Sequence, residues 1–99
     1  MATKTTKFDI VEHLDDQEAV AAYLDAALED GDPAVIAAAL GDVARARGMT
    51  KVANEAGVTR EALYKALSEN GDPRLTTLLG VTKALGVRLS IVPDDEHAA

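Results

Sequence analysis

Residues 49–68, MTKVANEAGVTREALYKALS, constrain the fold more than any other part of this 99-residue chain. Val52, Ala56, Val58, Leu63 and Ala66 recur where two short crossed helices need inward-facing apolar side chains. Gly57 sits between the two halves, where a tight turn needs a positive φ that only glycine adopts cheaply. Ala53 is small at the point where the helices would cross closely. The spacing predicts helices over 51–56 and 60–69, capped by Thr50 and Thr59. That is the layout of a helix-turn-helix.

The flanks read as more helix. Asp15 is expected to open the first one, with Glu18 three residues on completing a capping box. Val20, Leu24, Ala27 and Leu28 follow at helical spacing, and Gly31 ends the run. Asp32 and Pro33 are suited to the N-cap and first position of a second helix. Its stripe is Ile36, Leu40 and Val43, and Arg45 and Arg47 fall in its last turn before Gly48. Gly71-Asp72-Pro73 breaks the chain again. A last helix then carries Leu75, Leu78, Leu79, Thr82 and Leu85 and stops at Gly86.

Residues 87–92, VRLSIV, alternate apolar and polar up to Val92 with β-branched side chains, and Pro93 stops them. They predict a strand, which cannot satisfy its backbone groups alone. The economical partner is the same strand of a second copy, a two-stranded sheet on a twofold axis in which Val87, Leu89 and Ile91 are the dimerising residues. Addition to the sheet edge of another protein, or pairing with Phe8-Asp9-Ile10-Val11 of the same chain, are the rivals. The expected architecture is therefore all-α with one C-terminal strand, built on five helices. Residues 1–14 read as flexible or extended, 15–92 as one helix-turn-helix domain and 93–99 as an acidic tail.

There are no cysteines, so disulfides and thiolate metal sites are excluded. No apolar run approaches the ~18 residues of a membrane span. MATKTTKFDI lacks the apolar centre of a signal peptide, so a cytoplasmic location is expected. The two histidines, His13 and His97, lie near the ends, and no nucleophile–base set, metal-ligand spacing or phosphate loop is present. The expectation is a protein that is not an enzyme and carries no cofactor or metal.

The net charge of −7 looks unsuited to a polyanionic partner until its distribution is considered. Residues 1–32 hold two lysines against nine acids; 33–93 hold eight bases against five acids, a net of +3; 94–99 add three acids. Affinity for phosphate depends on the local patch. On the second helix of the motif, Leu63, Ala66 and Leu67 share one face, while Arg60, Glu61, Tyr64, Lys65 and Ser68 share the other.

That polar face suits the major groove of DNA. Arg60 can bond guanine O6 and N7, and Glu61 can accept from cytosine N4. Tyr64 offers a ring to a thymine methyl, Lys65 reaches phosphate, and Thr59 and Ser68 complete the edges. Thr50, Lys51, Arg74 and Thr76 begin neighbouring helices and can face phosphates. The same four residues Arg60, Glu61, Tyr64 and Lys65 also suit an ordinary solvated face, with Glu61 and Lys65 a standard helix pair.

The chain resembles the Cro/repressor (Xre-type) class of helix-turn-helix proteins, whose fold is lambda-repressor-like. Within it the chain is similar to the addiction-module antidote proteins, HigA-like antitoxins of type II toxin–antitoxin systems. The similarity spans about residues 8–92 and is carried by Tyr23-Leu24, Ala27-Leu28, Gly31-Asp32, Ala38-Ala39-Leu40, the block from Asp42 to Met49, Ala53 and Gly57. It continues through REALYKALS at 60–68, Gly71-Asp72-Pro73, Thr77-Leu78 and Ala84-Leu85-Gly86. Val52 departs conservatively from the leucine or isoleucine expected there. The resemblance implies two activities: neutralising a small RelE/ParE-like toxin, and repressing the shared operon as a dimer on a palindromic operator. It carries Thr59, Arg60, Glu61, Tyr64 and Lys65 over as DNA-facing positions and carries over no toxin contact.

The acidic N-terminal third suits docking of a basic partner, with Asp15, Asp16, Glu18, Asp25 and Glu29 as candidate toxin contacts; a merely solubilising helix is the plainer alternative. A stand-alone repressor without a toxin, and an adaptor that no longer binds DNA, are the other functional readings. A reading frame for a small basic protein beside this gene favours the antitoxin, and salt-dependent binding to the gene's own promoter excludes the adaptor.

Overall fold

The computed structural model describes residues 16–94. Asp16 opens α1 (Gln17–Asp30), its carboxylate accepting the backbone N–H groups of Glu18 and Ala19 at 3.0 and 3.2 Å. The cap is thus one residue later than the sequence suggests, and Asp15 lies outside the described residues. Glu18 becomes the second helical residue and cannot close a reciprocal capping box, which needs the third. Val20, Leu24 and Ala27 are buried, but Leu28 is 43% exposed. α1 packs chiefly on α2 (Pro33–Arg47), so a narrow stripe is all it buries.

α2 begins as expected, with the Asp32 carboxylate accepting the Ala34 N–H at 2.9 Å and Pro33 in the first turn. Its buried face is largely alanine (Ala37, Ala39, Ala44) around Leu40 and Val43. The Tyr23 hydroxyl of α1 donates to Asp42 Oδ2 of α2 at 2.8 Å, and the Arg45 guanidinium holds Asp42 Oδ1 at 2.8 Å. Arg47 Nη2 donates to Gln17 Oε1 at 3.0 Å, tying the end of α2 to the start of α1.

α3 (Met49–Ala56) follows Gly48 directly and has no side-chain cap. Thr50 is therefore not the cap but an exposed residue of the first turn, because helix begins at Met49, whose side chain is buried. Gly57 ends α3 at φ +75, with the Val58 N–H bonded to Ala53 O at 3.0 Å. Residues 85–87 repeat the device: Gly86 has φ +79 and the Val87 N–H bonds Thr82 O at 3.0 Å. In both, a left-handed glycine satisfies a helix-end carbonyl and returns a valine to the core.

α4 (Arg60–Ala66) is shorter than the expected 60–69, since the chain leaves the helix at the buried Leu67 and turns through 67–70. α5 (Leu75–Ala84) crosses α3 at Gly80, where a Cβ would stand 3.1 Å from both Cα and the carbonyl oxygen of Ala56. That close crossing fixes which side of α5 faces inward. Val81, Thr82 and Leu85 are buried and Leu78 partly so, whereas Leu75 and Leu79, expected in the core stripe, are 67% and 48% exposed. One hydrophobic cluster runs through all five helices of the described residues, from Val20 and Val43 through Val52 and Leu63 to Val81 and Leu85.

Residues 87–92 form no strand among the described residues. A strand needs a partner edge, and the described residues present none there; Phe8–Val11, the internal rival, lies outside the described residues. Val87 is half-buried, Leu89 is exposed, and Ile91 is 99% exposed. No helix among the described residues is long and apolar enough to cross a membrane.

Two outcomes test this packing. Leu63→Ala, which empties a fully buried site, is expected to lower unfolding free energy by ~2–5 kcal/mol in denaturant titration, whereas Leu75→Ala leaves it within ~0.5 kcal/mol. Burial, then the hydrogen bond to Asp42 and its charge, push the Tyr23 phenol from 10.0 up to about 12, with Arg45 pulling the other way. The folded state therefore holds this proton more tightly than the unfolded chain, and the stability it lends is lost as pH rises from about 10 to about 12. Tyr23→Phe is expected to cost ~0.5–1.5 kcal/mol at neutral pH and to flatten that alkaline decline in melts between those pH values.

Candidate nucleic-acid interface

α4 has seven residues, too short to persist alone, so its orientation comes from what it buries. Leu63 is fully buried and Leu67, just past its end, is 2% exposed. Thr59 fixes the entry: its Oγ1 accepts the Ala62 N–H at 3.0 Å, satisfying one of the donors a helix start leaves open. At the other end the Ser68 hydroxyl donates to the Lys65 carbonyl oxygen at 2.9 Å.

With the inner face committed, Arg60, Glu61, Tyr64, Lys65 and Ser68 are all exposed. The Arg60 guanidinium carbon lies 5.4 Å from the centre of the Tyr64 ring, and its Nη2 donates to the Tyr64 hydroxyl at 3.4 Å. Stacking on an aromatic face orders the guanidinium while leaving other donors open. Thr50 and Lys51 are exposed in the first turn of α3; Arg74 is the exposed N-cap residue of α5, making no side-chain cap, and Thr76 is exposed in its first turn. Among the described residues neither Lys51, Arg60, Lys65 nor Arg74 has an ion pair within 4.0 Å.

The acidic candidates lie on α1. Asp16 spends its carboxylate on the helix cap, while Glu18, Asp25 and Glu29 are exposed. Asp25 also lines an open groove of about 370 Å³ floored by α1, α2, α5 and residues 87–92. The Tyr23–Asp42–Arg45 cluster and the Gln17–Arg47 bond are absent from any reading of sequence spacing. Asp42 and Arg45 are three apart and legible as a helix pair, but nothing in the sequence brings Tyr23, nineteen residues away, onto them.

What these features define first is a class: a small helical domain, five helices among the described residues, in which α4 exposes a polar face with Arg60 stacked on Tyr64. The sequence matches the family described as "Probable addiction module antidote protein" over residues 4–93. An uncharacterized protein of Haemophilus influenzae is 42% identical over 91 residues, 92% of this chain and 94% of that protein. No solved structure matches. The chain belongs to the addiction-module antidote family, which carries an antitoxin role and implies a toxin as partner.

If Thr59 positions this face as its cap implies, Thr59→Ala is expected to cost ~1 kcal/mol in chemical denaturation, and Thr59→Ser to restore most of it.

Proposed function

We propose that this antitoxin works through two bindings and no catalysis. A homodimer reads a palindromic operator with α4 and represses its own operon, and the chain neutralises a small RelE/ParE-like toxin by direct contact. The observation that carries the DNA half is α4 itself: Leu63 buried on one side, and Arg60, Glu61, Tyr64, Lys65 and Ser68 exposed on the other. Together with α3 and the turn at Gly57 it has the form of a helix-turn-helix. In this reading Arg60 bonds a guanine edge and Lys65, Lys51 and Arg74 meet phosphates, while Thr50, Thr59, Ser68 and Thr76 supply hydroxyls beside them. The basic balance of residues 33–93 supports it against the acidic total.

Dimerisation is supported by the apolar surface left open at the end of the fold. Leu75 and Leu79 on α5, then Leu89, Ile91 and Val92 beyond it, are all exposed, and exposed apolar patches mark contact surfaces. Pairing of residues 87–92 between copies would satisfy their backbone groups and set two α4 helices in symmetric relation. The toxin half rests on the family and on acidic α1, where Glu18, Asp25 and Glu29 stand exposed. A stand-alone repressor would share the DNA face; membership of an antidote family favours the antitoxin.

In mobility-shift titrations against the gene's own promoter, Arg60→Ala is expected to weaken binding by ~1–3 kcal/mol and to relax preference at one base pair. Equal loss on every sequence would make Arg60 a phosphate contact instead. Replacing Leu89 and Ile91 together by aspartate is expected to give monomers by light scattering and weaker operator binding. A surviving dimer would move the interface elsewhere.

A further inference from the structure

The groove beside α1 shares Val87, Leu89 and Val92 with the segment assigned to the second copy, but its remaining walls, on α1, α2 and the Leu78 side of α5, lie outside that surface. Its walls include Leu28, Ile36, Leu78, Leu89 and Val92, with Asp25 and Arg88 as its charged lining residues. Thr82 contributes no unsatisfied group, because its hydroxyl donates to the Leu79 carbonyl oxygen at 3.0 Å. Its volume of about 370 Å³ is in the range that accepts an inserted anchor, and Leu28, Leu89 and Val92 are exposed around it. Open apolar surface with a polar rim marks a contact site. No residue of α3 or α4 lines it.

Charge decides among occupants. Residues 16–32, which supply α1 and the turn after it, hold six acids and no base. A second copy would bring an equally acidic helix to the same rim, and residues 1–15 of this chain carry a net charge of −1. Like charges brought together oppose docking, whereas a basic protein is both steered and selected. We infer that this groove is where the toxin docks, inserting an apolar segment flanked by lysine or arginine that faces Asp25 and Glu29. The inference deepens the antitoxin reading and rests on it. Seated there, the toxin leaves α4 uncovered.

The test uses the full chain and the product of the reading frame adjoining its gene. Binding is followed by interferometry, operator binding by mobility shift and mass by light scattering. Ala22→Arg and Leu28→Arg place a cation in the groove at exposed positions of α1, remote from the α4 face. Each is expected to weaken the complex tenfold or more, mainly through faster dissociation, with operator binding and dimer mass unchanged. Asp25→Asn with Glu29→Gln is expected to slow association and flatten its salt dependence. If Leu28→Arg proves unstable in a thermal melt, Ala22→Arg, which replaces an exposed alanine, decides. Wild-type affinity in both arginine variants overturns the groove while leaving the antitoxin reading intact. Loss of dimer or operator binding with toxin affinity retained gives the groove to the second copy and overturns the inference. Failure of the wild-type chain to bind that protein overturns the antitoxin reading and the inference with it.

Discussion

Leu63 is the contact on which the candidate nucleic-acid surface of this protein depends. A seven-residue helix has no stability of its own in water, and α4 keeps its place because Leu63, and Leu67 just beyond its end, are sunk in the common core. The left-handed turn at Gly57 and the Thr59 cap set the angle at which the chain enters. The consequence is geometric: one face is spent on packing, and the side chains on the other cannot avoid solvent or a partner. Arg60 and Tyr64, already stacked, then need little further ordering when something binds.

The second constraint is the thinness of the core. With one phenylalanine and no tryptophan, the chain relies on small residues brought close together. Gly80 lets α5 cross α3 at the backbone of Ala56, and alanines on α2 admit α1. Such a core covers little apolar surface at its periphery. Leu28, Leu75, Leu79, Leu89, Ile91 and Val92 are left outside, with patches at the α1 groove (Leu28, Leu89, Val92) and on the α5 side (Leu79, and Leu89 again). The proposed division of labour follows those patches: one copy of the chain on the α5 side, the toxin on the acidic α1 side, and DNA on α4.

Much of this was legible in the residues because the signals are local. Gly31, Gly48, Gly57 and Gly86 all adopt positive φ where helices were expected to stop, and Asp32-Pro33 starts α2 as such pairs do. The inward set Val52, Leu63 and Leu85 follows from spacing alone. What failed depends on how helices meet. The cap moved from Asp15 to Asp16 because either aspartate satisfies the sequence rule and only geometry chooses. Leu75 and Leu79 fit the stripe of α5, yet the Gly80 crossing turns that face away. The Tyr23–Asp42 bond joins residues with no common period. For residues 87–92 the alternation is real, but a strand is a property of two edges, and the described residues of one chain supply a single edge.

The central claim is that DNA and toxin occupy different faces of one dimer. It is tested most directly by adding the purified toxin to the antitoxin already bound to a fluorescent operator fragment and following the mass of the labelled species by analytical ultracentrifugation. The expected result is a heavier labelled complex containing DNA, antitoxin and toxin together. Release of free operator in proportion to the toxin added, with no heavier species at any ratio, would contradict it.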